Sequence, residues 1–135
     1  MGEFRIPSEK SKYYIQKEEY LTVVHFCRQY PEWVKELSVE PDSGGAIRYD
    51  RERVQTSGNY DANAELAMRR YELARKKQLV DDAAREAAGG MAEWLVLGVS
   101  YGFAFWELEV RGIPCEKNAY YKMRRKFYFI LAKKM

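Results

Sequence analysis

The residues best suited to binding chemistry are the cations near the C-terminal end of the sequence. Residues 115–135 contain seven Lys and Arg and a single acid, Glu116, which gives a net charge of +6. Residues 1–114 contain 16 Lys and Arg against 19 Asp and Glu, a net charge of −3. A strongly basic element on an acidic body is typical of a protein that binds phosphate groups through one segment. The alternative is a basic helix end that is simply solvated, and charge alone does not distinguish these two interpretations.

The spacing of these cations predicts that they share one face of a helix. Residues 119–134 carry an apolar stripe at three- and four-residue intervals, and Asn118 is the expected N-cap. The stripe consists of Tyr120, Met123, Phe127, Ile130 and Leu131. At 100° per residue, the opposite face presents Tyr121, Lys122, Arg125, Lys126 and Phe129. A helix fits the major groove of B-DNA, where Arg and Lys can donate hydrogen bonds to guanine or to phosphates.

A short helix and a tight turn precede this basic helix. Residues 104–111 are expected to form the short helix, with Phe105 and Leu108 facing inward. Gly112 can adopt the left-handed conformation that ends a helix, and Pro114 prevents the helix from resuming at once. A short helix, a turn with glycine and a longer cationic helix together form the pattern of a helix-turn-helix, a DNA-binding motif.

The side chains of this motif differ in how directly they could contact DNA. Lys122 and Arg125 point away from the apolar stripe and are the first candidates for base or phosphate contacts. Arg124 lies nearer the core edge, where phosphate contact and pairing with Glu107 or Glu109 are equally open. The full predicted DNA-contacting set is Lys117, Asn118, Tyr121, Lys122, Arg124, Arg125 and Lys126.

Aromatic residues of the same helix have more than one possible environment. Tyr121 either hydrogen-bonds a phosphate or covers the turn before the helix. Tyr128 and Phe129 cannot both lie in the core if Phe127 does, so an exposed aromatic side chain is expected. It would contact either a second copy of the chain or the N-terminal part of the same chain.

The N-terminal third is predicted to contain a kinked helix and a long loop. Residues 1–11 are expected to be flexible, and residues 12–37 to form a helix kinked at Pro31, which suits the first turn of a new helix. Glycine, proline and asparagine without periodicity predict a loop at 38–60, with a strand-like piece at 46–49. Its arginines are weaker candidates for phosphate contacts, and they are Arg48, Arg51 and Arg53.

The middle of the chain is predicted to form a long helix followed by a buried one. Residues 61–88 contain neither glycine nor proline and are rich in strong helix formers, and Gly89 is expected to end the helix. Residues 91–99 are nearly all apolar and predict a buried helix. A seven-residue seam runs along the long helix through Leu66, Leu73, Val80 and Ala87. Packing of this seam on the first helix is favoured over packing on a second copy, because basic residues disturb the companion positions of a coiled coil.

Segments near the C-terminal end resemble known DNA-binding families. The chain is similar there to the fourth conserved region of bacterial sigma factors, and more closely to the ArpU-like and RinA-like late-operon activators of phages and prophages in Gram-positive bacteria. The segments that carry this resemblance are Gly112-Ile113-Pro114, Arg124-Arg125-Lys126 and Leu131-Ala132-Lys133-Lys134. The layout also matches over Tyr30-Pro31-Glu32-Trp33, Lys35-Glu36-Leu37, Val54-Gln55-Thr56-Ser57 and the long charged helix. The resemblance implies sequence-specific binding upstream of phage late genes by residues 118–126, supported by the helix at 105–111.

Catalysis and metal binding are not indicated by the sequence. It contains no glycine-rich phosphate cradle and no Ser, His and Asp set whose spacing nominates an active site. Cys27, Cys115 and the single histidine, His25, cannot easily fill a four-ligand zinc site. Both cysteines are expected to be reduced and packed, and His25 to be structural. We therefore expect no enzymatic activity and no cofactor.

A membrane location is not indicated either. The longest stretch without a charge, Trp94 to Trp106, has thirteen residues, and a membrane helix needs about 20 apolar ones. No apolar run follows the charges of the first five residues, so no secretory signal is expected. We therefore expect a cytoplasmic location.

The sequence therefore predicts an all-α protein with a helical unit at 12–88 and a helix-turn-helix at 91–135, sharing one core. The expected function is regulation of transcription, with late-gene activation as the specific form. Duplex DNA is the expected partner, and the acidic body is left to form a homodimer or to contact host RNA polymerase. Two alternatives stay open, an interaction module whose basic helix binds an acidic protein, and an RNA-binding phage protein.

Overall fold

In a computed structural model, the described part of the chain is all-α, as predicted. The structure describes residues 12–39 and 56–135, with side chains for residues 12–39 and 62–135. The helices are α1 (Lys17–Arg28), α2 (Tyr30–Ser38), α3 (Thr56–Ala88), α4 (Ala92–Val99), α5 (Phe105–Val110) and α6 (Lys117–Lys134), with a 3-10 turn at Gly89–Met91. The predicted flexible N-terminus at 1–11, the strand-like piece at 46–49 and the loop arginines lie outside the described residues.

Two helices, α1 and α2, take the place of the single helix predicted over 12–37, and the break between them lies at Gln29. Gln29 ends α1, and Pro31 is the second residue of α2. Its missing N–H has no effect there, because the first amide groups of a helix lack partners within the helix. The chain is thus helical from Lys17 and not from residue 12, and the helix is interrupted two residues before Pro31.

The long helix starts earlier than the sequence predicts. α3 begins at Thr56 and not at residue 61, so the predicted loop at 38–60 is too long on both sides, since α2 reaches Ser38. Gly58 and Asn59 are poor helix formers, but a long Ala-rich helix propagates cooperatively and tolerates them in its first turn. The predicted end of the helix is confirmed, because Gly89 has φ +55°.

The chain divides into two compact units, and the division differs from the predicted one. One unit contains Met1–Pro31 and Gln78–Met135, and the other contains Glu32–Lys77. Helix α1 and the second half of α3 thus belong with the C-terminal helices. The reason is the packing of α1 on α6, since Tyr20 of α1 lies edge-on to Tyr128 of α6 with ring centroids 5.3 Å apart.

The core of the larger unit is formed by all of its helices. Its fully buried side chains are Tyr20, Val23, Val24, Cys27, Val80, Ala83, Ala84, Leu95, Leu108, Tyr120, Phe127 and Leu131. Cys27 is a free, buried thiol, as expected, while the free thiol of Cys115 is only half-buried. His25 is exposed, which corrects the expectation that it packs among apolar residues. The reason is its place on the wheel of α1, outside the arc formed by Tyr20, Val24 and Cys27.

Helix α4 is less deeply buried than its composition predicts. Leu95 and Val99 lie in the core, but Trp94, Val96 and Leu97 are only half-buried. An eight-residue helix cannot be surrounded on every side in a unit this small, because small domains bury a lower share of their surface. Within the described residues, no helix is both long and apolar enough to cross a membrane.

In the smaller unit, α2 pairs with α3 through arginine contacts. Arg69 forms two hydrogen bonds to the Glu36 carboxylate, and one joins Nη2 to Oε1 at 2.9 Å. Arg70 donates to the carbonyl oxygens of Glu36, Leu37 and Val39 at 3.0–3.3 Å, at the end of α2 where carbonyl groups run out of helical donors. The Glu36 carbonyl also accepts a hydrogen bond from the Val39 amide at 3.3 Å. The guanidinium of Arg70 therefore acts as a C-terminal cap for α2.

The predicted seam of α3 is only partly buried. Leu73 and Val80 are buried, but Leu66 is 43% exposed. Leu73 and Val80 therefore pack within the chain, Ala87 is only half-buried, and packing of the seam on the first helix stays a prediction.

Candidate nucleic-acid interface

The turn between α5 and α6 is held by a helix-ending motif. Gly112 has φ +99°, a conformation that side-chain-bearing residues rarely adopt. The amide of Ile113 donates to the carbonyl of Leu108, and that of Gly112 to the carbonyl of Glu109, each at 3.0 Å. This is the Schellman arrangement, which typically brings together the two apolar residues that flank it. Leu108 and Ile113 are both buried, so the turn is fastened to the core.

Helix α6 begins two residues before its expected start, at Lys117 and not at residue 119. The N-cap is Glu116 with an extended backbone, and its carbonyl accepts a hydrogen bond from Tyr120 at 3.0 Å. Asn118 is therefore not the cap but an exposed residue of the first turn. The prediction was wrong because side-chain preference at a cap is worth only about 1 kcal/mol, and the packing of Tyr120 in the core fixes the register of the helix.

The cationic face predicted for α6 is turned to solvent in its N-terminal half. Lys117, Asn118, Lys122 and Arg125 are exposed, and Lys126 is half-buried at the edge of this face. Lys117 and Arg125 are eight positions apart, which corresponds to about 12 Å along the helix. A helix with its side chains is about 10–12 Å in diameter and fits the major groove of B-DNA, which is about 12 Å wide.

Arg124 occupies a different environment from its cationic neighbours. Its guanidinium lies 5.1 Å from the ring centre of Tyr121 and 5.8 Å from that of Tyr128, and it hydrogen-bonds the hydroxyl of Tyr20 on α1. Stacking on aromatic faces and donation to hydroxyls are characteristic uses of arginine. Arg124 thus links α1 to α6.

Neither of the two acids considered as partners for Arg124, Glu107 and Glu109, takes the place of its tyrosine contacts. Glu107 accepts a hydrogen bond from the Ala104 amide at 2.8 Å and so closes the first turn of α5. Glu109 is exposed. The contacts of Arg124 with tyrosines take the place of the ion pair considered from the sequence.

The aromatic residues of α6 are covered by α5 and by the N-terminal part of the chain. Tyr121 is half-buried, with its ring 6.4 Å from that of Phe105, which is the turn-covering role considered from the sequence. Tyr128 is buried, and Phe129 lies against Tyr13 with ring centroids 5.6 Å apart. The N-terminal part of the chain therefore covers this end of the helix, one of the two predicted possibilities.

A close helix contact that the sequence did not predict places α6 on α4. Gly98 faces Tyr120, and a methyl group at Gly98 would overlap the Tyr120 hydroxyl and lie 3.0 Å from its ring carbon Cζ. The Tyr120 ring is buried and lies 5.5 Å from the ring of Phe105. Burial raises the pKa of Tyr120 to about 12. Only glycine allows α4 and α6 to approach this closely.

Two exposed apolar side chains on α5 were also not predicted. Trp106 is 66% exposed and Val110 is 80% exposed, and they lie one helical turn apart. Trp106 and Val110 are four residues apart, a spacing that indicates a shared helix face. From the sequence, only the inward face of Phe105 and Leu108 was considered. Their side of α5 is available to a partner.

The described residues contain no group of three or more His, Cys, Asp or Glu side chains that could hold a metal ion. The interface has instead the chemistry of hydrogen-bond donors and positive charge.

Comparisons of the chain with protein-family models, with curated proteins and with solved structures find no match. The similarity to phage activators and to sigma factors therefore stays a prediction from the motifs.

Proposed function

We propose that this protein binds duplex DNA through α6 and regulates transcription. The observation that carries the proposal is the exposed row of donors from Lys117 to Arg125 on a helix whose opposite side is fixed in the core. Had that row been buried, or had α5 not been helical, the proposal would have had no basis.

The arrangement of the neighbouring helices supports this function. In a helix-turn-helix, the second helix lies in the major groove with its N-terminal residues at the base edges. In α6, the N-terminal half is the exposed half, and the C-terminal half is covered by Tyr13 and Tyr20. We assign base contacts to Lys122 and Arg125, and phosphate contacts to Lys117, Asn118 and Lys126.

Arg124 has a different part in the proposal. Because it stacks on Tyr121 and Tyr128 and hydrogen-bonds Tyr20, we assign it to positioning the helix and not to contacting DNA. The Tyr121 hydroxyl stays a candidate phosphate donor.

The more specific proposal is sequence-specific activation of phage or prophage late genes, with host RNA polymerase as a protein partner. It is supported by the motif resemblance and by the charge difference between the acidic body and the basic helix. A cytoplasmic location and the absence of enzymatic activity belong to the same proposal.

The test is selection of bound duplexes from a random pool, followed by affinity measurements on the selected site at several salt concentrations. We expect a common sequence to be enriched, and affinity to fall steeply with salt, because bound Lys and Arg release counterions from phosphate. Replacing Lys122 and Arg125 with Ala should weaken specific binding by about 1–3 kcal/mol for each side chain that no longer reaches a base.

The matched control removes one Lys and one Arg elsewhere on the same unit, Lys17→Ala with Arg85→Ala. Both side chains are exposed, and Arg85 forms only a surface pair with Asp82. The control should reduce specific binding far less than the double variant on α6, although it changes the net charge equally. Equal weakening in both variants, or tighter binding of single-stranded RNA than of the selected duplex in the same affinity measurement, would contradict the proposal.

A further inference from the structure

The N-terminal part of α3 carries large apolar side chains that the described chain leaves uncovered. Residues 62–69 are all exposed, and Met68 and Tyr71 are 60% and 65% exposed. With Ala64 and Arg75 they follow a 4-3-4 spacing, which places the four residues in one stripe about three turns long. We call these four residues the outer stripe of α3.

The outer stripe lies opposite the contacts that α3 makes with α2. Leu73 is the buried residue of this part of α3, and at 100° per residue it points about 170° away from the centre of the outer stripe. Packing of α2 therefore leaves the outer stripe free. An open groove of about 380 Å³ borders Met68 and is lined by Ala64, Glu65, Met68, Arg69 and Glu72.

The outer stripe is complementary to itself when two copies run antiparallel. With the two-fold axis between residues 69 and 70, Met68 faces the partner's Tyr71, and a thioether beside an aromatic ring is a favourable contact. Arg75 faces the partner's Ala64, whose small side chain leaves room for the arginine stem. One residue further lies the partner's Glu65, within reach of the guanidinium. Two-fold symmetry forms each of these contacts twice.

We infer that the protein self-associates through the outer stripe of α3, with Met68 and Tyr71 at the centre and two Arg75–Glu65 ion pairs at the ends. The occupant is a second copy because the outer stripe, together with Glu65 at its flank, supplies both the apolar pair and the opposite charges in a single symmetric register. The contact is only three turns long, less than the roughly 800 Å² per partner of a standard interface, so the dimer is weak and reversible.

The experiment is sedimentation velocity on the full chain between about 1 µM and about 500 µM, a range suited to an interface below standard size. The expected result is a mass that rises from monomer toward dimer with concentration. Met68→Glu should abolish the rise, because it places two like charges at the centre of the contact. A monomer at every concentration, or a dimer that persists in Met68→Glu, would overturn the inference.

A charge exchange tests the antiparallel register. Glu65→Arg and Arg75→Glu should each lower the association constant at least about fivefold, because each places like charges opposite one another twice. The double variant E65R/R75E should recover most of the association, and failure to recover would refute this register and with it the inference.

The control is Ala62→Glu, which adds the same charge as Met68→Glu to an exposed position about 150° from the outer stripe. It should leave association unchanged. Far-ultraviolet circular dichroism confirms that each variant keeps its helix. None of these measurements uses DNA, so the inference stands or falls separately from the proposed function.

Discussion

At the scale of single residues, the orientation of α6 depends on side chains that do not themselves point at DNA. Tyr120 fills the space opposite Gly98, and Arg124 joins Tyr121 and Tyr128 to Tyr20. A residue with a larger side chain at Gly98, or a shorter one at Arg124, changes where the exposed donors lie. The DNA-facing residues are thus supported by a layer of glycine and tyrosine behind them.

Gly98→Ala is expected to destabilise the fold by about 1–2 kcal/mol. Overpacking in a core typically costs about 1–3 kcal/mol, and the better helix propensity of alanine offsets about 0.5–1 kcal/mol of this cost. Urea denaturation followed by circular dichroism measures the change. Tyr120→Phe removes the overlapping oxygen, so the double variant should be destabilised by less than the sum of the two single variants. Strictly additive effects would show that the overlap is relieved elsewhere.

At the scale of elements, the sequence predicted what is encoded locally. The turn at Gly112 and Pro114 was predictable because each residue restricts the backbone by its own chemistry. The stripe of α6 was predictable because its period is that of a helix, and Tyr120, Phe127 and Leu131 are indeed buried.

Features that depend on distant parts of the chain were not predictable. The environment of Arg124 is set by Tyr20, more than a hundred residues earlier, and helical spacing cannot reveal that partner. Arg69 and Arg70 belong on a solvated face by the wheel of α3 alone, yet both hold α2. The start of α3 was missed because weak helix formers at Gly58 and Asn59 outweighed the cooperativity of the residues that follow.

Arg70→Ala is expected to loosen the C-terminal turn of α2. The carbonyl groups of Leu37 and Val39 would lose the guanidinium donor and turn to water, while the Glu36 carbonyl would keep the Val39 amide, at a total cost of about 1–2 kcal/mol. Hydrogen–deuterium exchange should become faster in residues 33–38 and stay unchanged in α6. Arg85→Ala, which changes an exposed arginine about four turns further along α3 that pairs with Asp82 at the surface, is the matched control. Unchanged exchange in α2 would show that the cap contributes little.

At the scale of the whole molecule, buried tyrosines and a buried thiol make the free energy of unfolding decrease at alkaline pH. Burial raises the pKa of Tyr30, Tyr128 and Cys27, and that of Tyr120 from 10.0 to about 12; a hydrogen bond to Asp81 also raises that of Tyr30. The folded protein therefore keeps protons that the unfolded chain releases. Stability is complete below the unfolded pKa values and falls as pH rises through and beyond them.

The urea midpoint is accordingly expected to fall between about pH 8 and about pH 11. Each buried group that keeps its proton lowers the stability by about 1.4 kcal/mol per pH unit above its unfolded pKa. Tyr30→Phe removes one of these groups and should make the decline shallower. A midpoint that stays constant over this range would contradict the burial of these side chains.

The different burial of the two cysteines provides an internal reporter of opening. Cys27 lies completely buried in α1, whereas Cys115 is half-buried in the turn before α6. A thiol reagent therefore meets one sulfur in the native state and the second only when α1 separates from its neighbours. The rate at which the second sulfur is modified measures how often that separation occurs, without any added label or engineered residue.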